Sequence, residues 1–181
     1  MKNTTNHYGW LTIILHWLVA SAVIGLFALG FWMVDLGYYD TWRKAGPELH
    51  QSIGLTLFAL MLVRVIWRSK EVQPTPLESY KNYEVKSAHI MHVLLYILIF
   101  MIMISGYLIS TADGRGIDYF QLFVVPGIGS MVENQEDLAG LFHQYAAYTL
   151  IAMVVFHALA AFKHHFINKD STLLRMIGKR N

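Results

Sequence analysis

Residues 138–162 read LAGLFHQYAAYTLIAMVVFHALAAF: 25 positions with no Asp, Glu, Lys or Arg, yet with two histidines, His143 and His157. A helix needs about 20 consecutive apolar residues to cross the hydrocarbon core of a bilayer. Residues 10–34 and 88–112 are equally long and charge-free, while 49–63 runs for 15 and reaches Trp67 if Arg64 is admitted. The pattern predicts an all-α fold, an integral membrane four-helix bundle forming a single domain over 1–181. Its helices are expected at about 10–34, 48–68, 87–111 and 138–165, with 112–137 as an outer connection. The first span is too long, and too weakly flanked by Lys2 alone, for a signal peptide.

Composition agrees. Hydrophobic residues make up 55% of the 181 positions and charged ones 14%, against about 25% charged in an average soluble domain. Disorder is excluded by the same figures, and a net charge of +2 gives no reason to expect a nucleic-acid partner. Cysteine is absent, which removes disulfides, thiolate nucleophiles, iron–sulfur ligation and covalent haem attachment. Nine histidines remain as the metal-capable residues.

Lys and Arg set the direction. Eleven fall on the N-terminal tail, the second connection and the C-terminal tail, where Arg180 is among them; three (Arg43, Lys44, Arg115) fall on the opposite connections. Both termini are therefore expected in the cytoplasm, with membrane lipid around the spans. The outer connection carries Asp113, Asp118, Glu133, Glu136 and Asp137, and its 117–132 part is apolar enough to lie on the membrane surface.

Ionisable groups inside a membrane suggest a functional site. His143 and His157 are 14 residues apart, about 40° short of four full helical turns, so they share a face about 21 Å apart along the axis. Each needs a partner at its own depth. His50, near the outer start of the second span, is level with His143; His16, near the inner start of the first, is level with His157. Two His–His pairs at two depths suit two flat macrocycles, each held by two imidazoles, better than a zinc or non-haem iron site wanting three or four ligands at one depth. The residue one turn after each is small (Ala20, Gly54, Ala147, Ala161), leaving room for a porphyrin edge; His89 and His92 are followed by Val93 and Tyr96. Those two read as interfacial polar residues or as propionate or quinone contacts. His164 and His165 read as headgroup-level residues or as substrate contacts. Arg64, 14 residues from His50, should face the inner site, where it meets a haem propionate or snorkels to a lipid phosphate.

The combination LHW at 15–17, ELHQSIG at 48–54, STADGR at 110–115, LFH at 141–143, and His157 followed by HHF at 164–166 and DSTLLRM at 170–176 resembles the bacterial cytochrome b561 family over almost the whole chain. The resemblance implies a diheme four-helix cytochrome of the inner membrane, with His16, His50, His143 and His157 as haem b ligands. Its members include a superoxide oxidase that passes electrons from superoxide to ubiquinone. Two imidazoles per iron leave no open position for oxygen activation, so the expected chemistry is single-electron transfer with no catalytic side chain. A quinone is expected at the inner end, near His164, Arg64 or His89. Three readings stand: a quinone-linked oxidoreductase in its own right, an electron-relay subunit for a periplasmic donor or acceptor protein, and a haem-free histidine transporter. The scarcity of outer basic residues argues against attraction of an anion such as superoxide.

Overall fold

The computed structural model describes residues 2–77 and 79–179, so Arg180 of the basic C-terminal tail lies outside the described residues. The chain forms α1 (Trp10–Met33), α2 (Trp42–Lys70), α3 (Asn82–Ser110), β1 (Ile117–Tyr119), β2 (Phe123–Val125), α4 (Gln135–Phe162), a π-helical turn (Lys163–Ile167) and α5 (Thr172–Met176). α1, α2, α3 and the continuous helix Gln135–Ile167 are each long and apolar enough to cross a membrane. Phe31, Ile66, Ile104 and Phe156 along them are exposed, as side chains are where lipid is the solvent.

The helix starts follow capping chemistry rather than the charge-free windows. α2 begins at Trp42, six residues before the expected 48, because the Asp40 carboxylate accepts the Trp42 N–H at 2.8 Å, an N-cap contact. Pro47 lies inside this helix and costs it one backbone bond, which the following turns outlast. α3 starts at Asn82 rather than 87; Glu84 reaches back to the Lys81 N–H at 3.0 Å, half of a capping box. The last residues of the expected fourth helix form the π-helical turn instead.

The fold is not wholly helical. β1 and β2 pair antiparallel, Ile117 opposite Val125 and Tyr119 opposite Phe123, within the outer connection expected to lie on the membrane surface. Its turn places Phe120 and Gln121 at φ 50° and 61°, unusual for residues other than glycine. The hairpin is anchored on α2: the Ser52 hydroxyl donates to the Asp118 carbonyl and accepts the Phe120 N–H, each at 3.2 Å, and Tyr119 Oη lies 3.0 Å from Thr56 Oγ1. Phe120, Leu122, Phe123 and Val124 remain exposed.

Two compact units divide the chain, one formed by 1–20, 60–96 and 152–181 and the other by 21–59 and 97–151. The first holds the start of α1, the end of α2, the start of α3, the end of α4 and α5. It buries Ile13, Leu15, Val19 and Met61. Its N-terminal tail is fixed by Asn3, whose Oδ1 accepts the Gly9 N–H at 2.8 Å and the Thr12 hydroxyl at 2.7 Å. The second holds the complementary stretches of the four helices and the hairpin, and buries Val23, Leu57, Ile99, Ile117, Ala146 and Leu150.

Candidate functional site

In the unit formed by 21–59 and 97–151, α2 presents His50 to His143 of α4, with ring centres 6.2 Å apart and planes at 67°. His143 Nδ1 lies 2.9 Å from the Ile102 carbonyl and 3.1 Å from Ser105 Oγ. A carbonyl only accepts, so Nδ1 carries the proton and Nε2 holds its lone pair free. That is the tautomer a metal needs, and the Ile102 carbonyl sets it. His50 Nδ1 is buried and has no hydrogen-bond partner among the described residues. Helix backbone approaches both rings closely. A Cβ at Gly30 would lie 3.1 Å from His50 Cε1, and one at Gly106 would lie 3.1 Å from His143 Cε1. At Gly54, one turn beyond His50, a Cβ would meet nothing within 4 Å.

In the unit formed by 1–20, 60–96 and 152–181, His16 of α1 faces His157 of α4 with ring centres 6.4 Å apart and planes at 62°. His92 of α3 stands on the same ring, 5.2 Å from His157 at 68°. Arg64 turns its fork inward. Its Nε donates to Tyr96 Oη at 2.9 Å, its Nη1 to the Leu15 carbonyl at 3.3 Å, and its Nη2 lies 3.0 Å from His16 Nδ1. A cavity of about 20 Å³ opens beside it, lined by Thr12, Leu15, Arg64, Trp67 and Tyr96 among others.

Both pairs fit a metal between them. Two imidazole–metal bonds of about 2 Å each, plus about 1 Å from each nitrogen to its ring centre, span about 6 Å, close to both observed separations. Among the described residues no three His, Asp or Glu side chains gather as a metal-ion cluster. Two facing imidazoles are the number of positions an iron porphyrin leaves to its protein.

His164 belongs to a third assembly. Carried on the π-helical turn, its Nδ1 lies 2.7 Å from Asp170 Oδ2, with side chains only 12% and 7% exposed. Thr172 donates its N–H to Asp170 Oδ1 at 2.9 Å and its hydroxyl to the same oxygen. Tyr80 Oη hydrogen-bonds the Thr172 hydroxyl, and its ring centre is 4.7 Å from that of His164. Burial pushes the Asp170 carboxyl up, but the hydrogen bonds from Thr172 and His164 outweigh it and hold it below the usual carboxylate range. Burial pushes the Tyr80 phenol up. His89 is exposed, and His165 Nδ1 is buried without a partner among the described residues.

The sequence alone does not single out Gly30, Gly106, Ser105, Tyr80 or Asp170 as site residues, and it reads His92 as an interfacial polar residue or a propionate or quinone contact. A signal for three of them was present. Gly30 follows His16 by 14 residues and Gly106 follows His92 by 14, the spacing that relates His50 to Arg64 and His143 to His157. Asp170 and Tyr80 come from segments whose folding onto His164 has no periodic signature.

Membrane-length helices that present half-buried imidazoles in facing pairs define a membrane protein suited to a metal cofactor. The chain belongs to the prokaryotic cytochrome b561 family, whose model matches residues 7–179. It is 48% identical over 177 residues to cytochrome b561 homolog 2 of Escherichia coli (strain K12), covering 98% of this chain and 94% of the relative. It is 30% identical over 179 residues to cytochrome b562 of Cereibacter sphaeroides, covering 96% of each. It is also 29% identical over 178 residues to the probable superoxide oxidase CybB of Yersinia pestis, covering 96% and 97%. The protein is accordingly a multi-pass bacterial membrane cytochrome of a family that binds b-type haem and transports electrons.

Proposed function

We propose that the chain holds two b-type haems, one between His50 and His143 and one between His16 and His157, and moves single electrons between a donor at one face of the inner membrane and the quinone pool at the other. The observation that carries this reading is the pair of imidazole separations, 6.2 and 6.4 Å, with the His143 tautomer held by the Ile102 carbonyl. Haem held by two imidazoles supplies one-electron chemistry and leaves no open position at the iron.

The chain's own residues do the remainder. Ile102 and Ser105 fix the proton on His143 Nδ1, so Nε2 is the ligating atom. Gly30 and Gly106 let backbone press against the two rings and limit their rotation. Ligation of His16 through Nε2 puts its proton on Nδ1, which then faces an Arg64 donor 3.0 Å away. Two donors repel, so the guanidinium must turn to an acceptor, and a haem carboxylate is the one the reading supplies. With the N- and C-terminal tails in the cytoplasm, as the Lys/Arg distribution supports, quinone meets the protein near His164 on that side. Superoxide as donor is less favoured: Arg115, the lone cation in 112–137, donates from Nε to Asp113 at 2.6 Å.

Haem quantified as pyridine haemochrome against iron and protein tests this directly. Two haems per chain are expected. His50→Ala and His143→Ala should each retain one, and His16→Ala and His157→Ala should each retain the other. Loss of a haem in His92→Ala or His89→Ala with retention in those four would overturn the assignment. Anaerobic reduction of the purified protein by quinol, compared with superoxide, identifies the partner.

A further inference from the structure

We propose that the hairpin 117–125 is a membrane-inserted foot: its tip enters the leaflet on its own side, and its partner is phospholipid at the boundary between headgroups and acyl chains. This holds with or without haem. Composition alone brings 117–132 to the membrane surface; the attachment of the hairpin takes it further in. Glu48 is the last charged residue of α2 before the charge-free run 49–63. Ser52 and Thr56 follow it by four and eight residues, about 6 and 12 Å along the axis. The polar zone of one leaflet is only about 5–8 Å deep. The backbone of the tip is held at Ser52 and the Tyr119 hydroxyl at Thr56, so the hairpin is fixed where acyl chains begin. It also stands on the side of α2 turned away from the imidazole pair. Ser52, Thr56 and Ala59 lie within about 60° of one another around the helix, whereas His50 is about 160° from Ser52. Ala59, next along that face, is exposed.

The hydrogen bonding of the tip points the same way. A turn that faces water can leave its N–H groups to water, whereas one that faces acyl chains must satisfy them within the protein. The tip satisfies each in turn: Phe120 donates to Ser52 Oγ at 3.2 Å, Gln121 to Asp118 Oδ1 at 2.7 Å and Leu122 to the Tyr119 carbonyl at 2.9 Å. With its backbone closed, the tip presents Phe120, Leu122, Phe123 and Val124, all exposed. Between Gly116 and Val132 there is no Lys or Arg, and Asp118 is the single acid. The Tyr119 and Phe123 rings stand 4.9 Å apart, aromatic side chains of the kind that populate the headgroup level. A docking patch for a soluble protein carries a polar rim. Here the apolar run continues instead through Ile128, Met131 and Val132, which are exposed as well. Lipid covers such a surface without needing any complementary charge. Inserted there, the hairpin is a strut that sets the depth of the end of α2 carrying His50.

Because the chain has no cysteine, single-cysteine variants of the full-length protein carry a nitroxide at one chosen site. They are reconstituted singly into nanodiscs of phosphatidylcholine and phosphatidylglycerol. Power-saturation electron paramagnetic resonance then compares collision with oxygen, which concentrates among acyl chains, and with a water-soluble nickel chelate. Leu122→Cys and Phe123→Cys are set against two references. Phe156→Cys is exposed on a membrane-length helix, and Lys44→Cys replaces a side chain 89% exposed ahead of the charge-free run. The oxygen-to-nickel ratio at 122 and 123 should be several-fold above that at 44 and approach that at 156. A ratio matching that at 44 puts the tip in water and overturns the proposal. Shielding from both reagents means that protein, a second copy included, covers the tip, and overturns it too. Adding Ser52→Ala to Leu122→Cys should bring its ratio down toward that at 44; an unchanged ratio would overturn the strut. If either hairpin variant fails to fold, Val124→Cys takes its place on the same readout.

Discussion

Gly54→Ala is expected to act with opposite sign on the empty and the haem-loaded protein. Gly54 lies one turn from His50 on the same face of α2, and a Cβ built there meets nothing within 4 Å. In protein made without haem the change therefore brings only the helix gain of alanine over glycine, about 1 kcal/mol, and thermal unfolding should move upward. If a porphyrin edge fills that space, the same methyl overpacks it by about 1–3 kcal/mol. This lowers haem affinity by roughly 5- to 150-fold. Gly25→Ala is the control, since a Cβ there also meets nothing within 4 Å but lies on exposed helix surface; it should bring the helix gain with no effect on haem. The assay is pyridine haemochrome per chain across a haem titration, with thermal unfolding of the haem-free protein alongside. Full occupancy of both sites in Gly54→Ala, at wild-type affinity, would refute the idea that the space beside His50 belongs to a cofactor.

Gly30→Ala should strain even the haem-free protein, because its Cβ falls 3.1 Å from His50 Cε1; overpacking of about 1–3 kcal/mol should lower the unfolding temperature where Gly54→Ala raises it. Arg64→Gln removes a cation beside His16 and, on the proposed two-haem reading, should lower the reduction potential of a haem held by His16 and His157, read by spectroelectrochemical titration, with that of a haem at His50 and His143 unmoved. Ser52→Ala leaves the Asp118 carbonyl and Phe120 N–H without their partner, at about 1–3 kcal/mol, and should speed proteolysis within 117–125. The Asp170 carboxyl is held low in the folded protein, so its contribution to stability is full above the ordinary value of about 3.9 and is lost as pH falls through the folded value. Wild type should therefore lose α5 docking in acid, measured by hydrogen exchange at 172–176, while Asp170→Asn shows no such acid step.

Much of this was legible because membrane helices advertise themselves. Charge-free runs located all four long helices, and period and depth selected His16, His50, His143 and His157, which the structure brings together in two pairs. Helix starts were less legible. Charged Arg43, Lys44 and Glu48 extend α2 beyond its apolar run, and the Asp40 cap that licenses this is a single side chain with no periodicity. The hairpin was invisible for a physical reason: its turn uses Phe120 and Gln121 at positive φ rather than the Asn-Gly that signals such turns, and its anchor, Ser52, is 66 residues away from Asp118 in sequence. The His164–Asp170–Thr172–Tyr80 chain was hidden likewise, because Tyr80 Oη and Thr172 are 92 residues apart.

The 14-residue spacing carries the argument one step further than any single pair. Each long helix has two positions that far apart: His16 and Gly30, His50 and Arg64, His92 and Gly106, His143 and His157. One unit collects Gly30, His50, Gly106 and His143, and the other collects His16, Arg64, His92 and His157. In both, the α1 residue meets the α2 residue and the α3 residue meets the α4 residue. Where the partner is glycine, a Cβ would fall 3.1 Å from the imidazole, so only bare backbone fits beside the ring, an uncharged and close environment. Where it is Arg64 or His92, the imidazole gains a fixed cation or a second imidazole. The same helical frame thus surrounds one candidate haem with close-packed backbone and the other with polar side chains. Cations near a haem favour its reduced form, because reduction removes a positive charge. A difference in potential between the two sites then follows from four residues, Gly30, Gly106, Arg64 and His92, none of which needs to be a ligand.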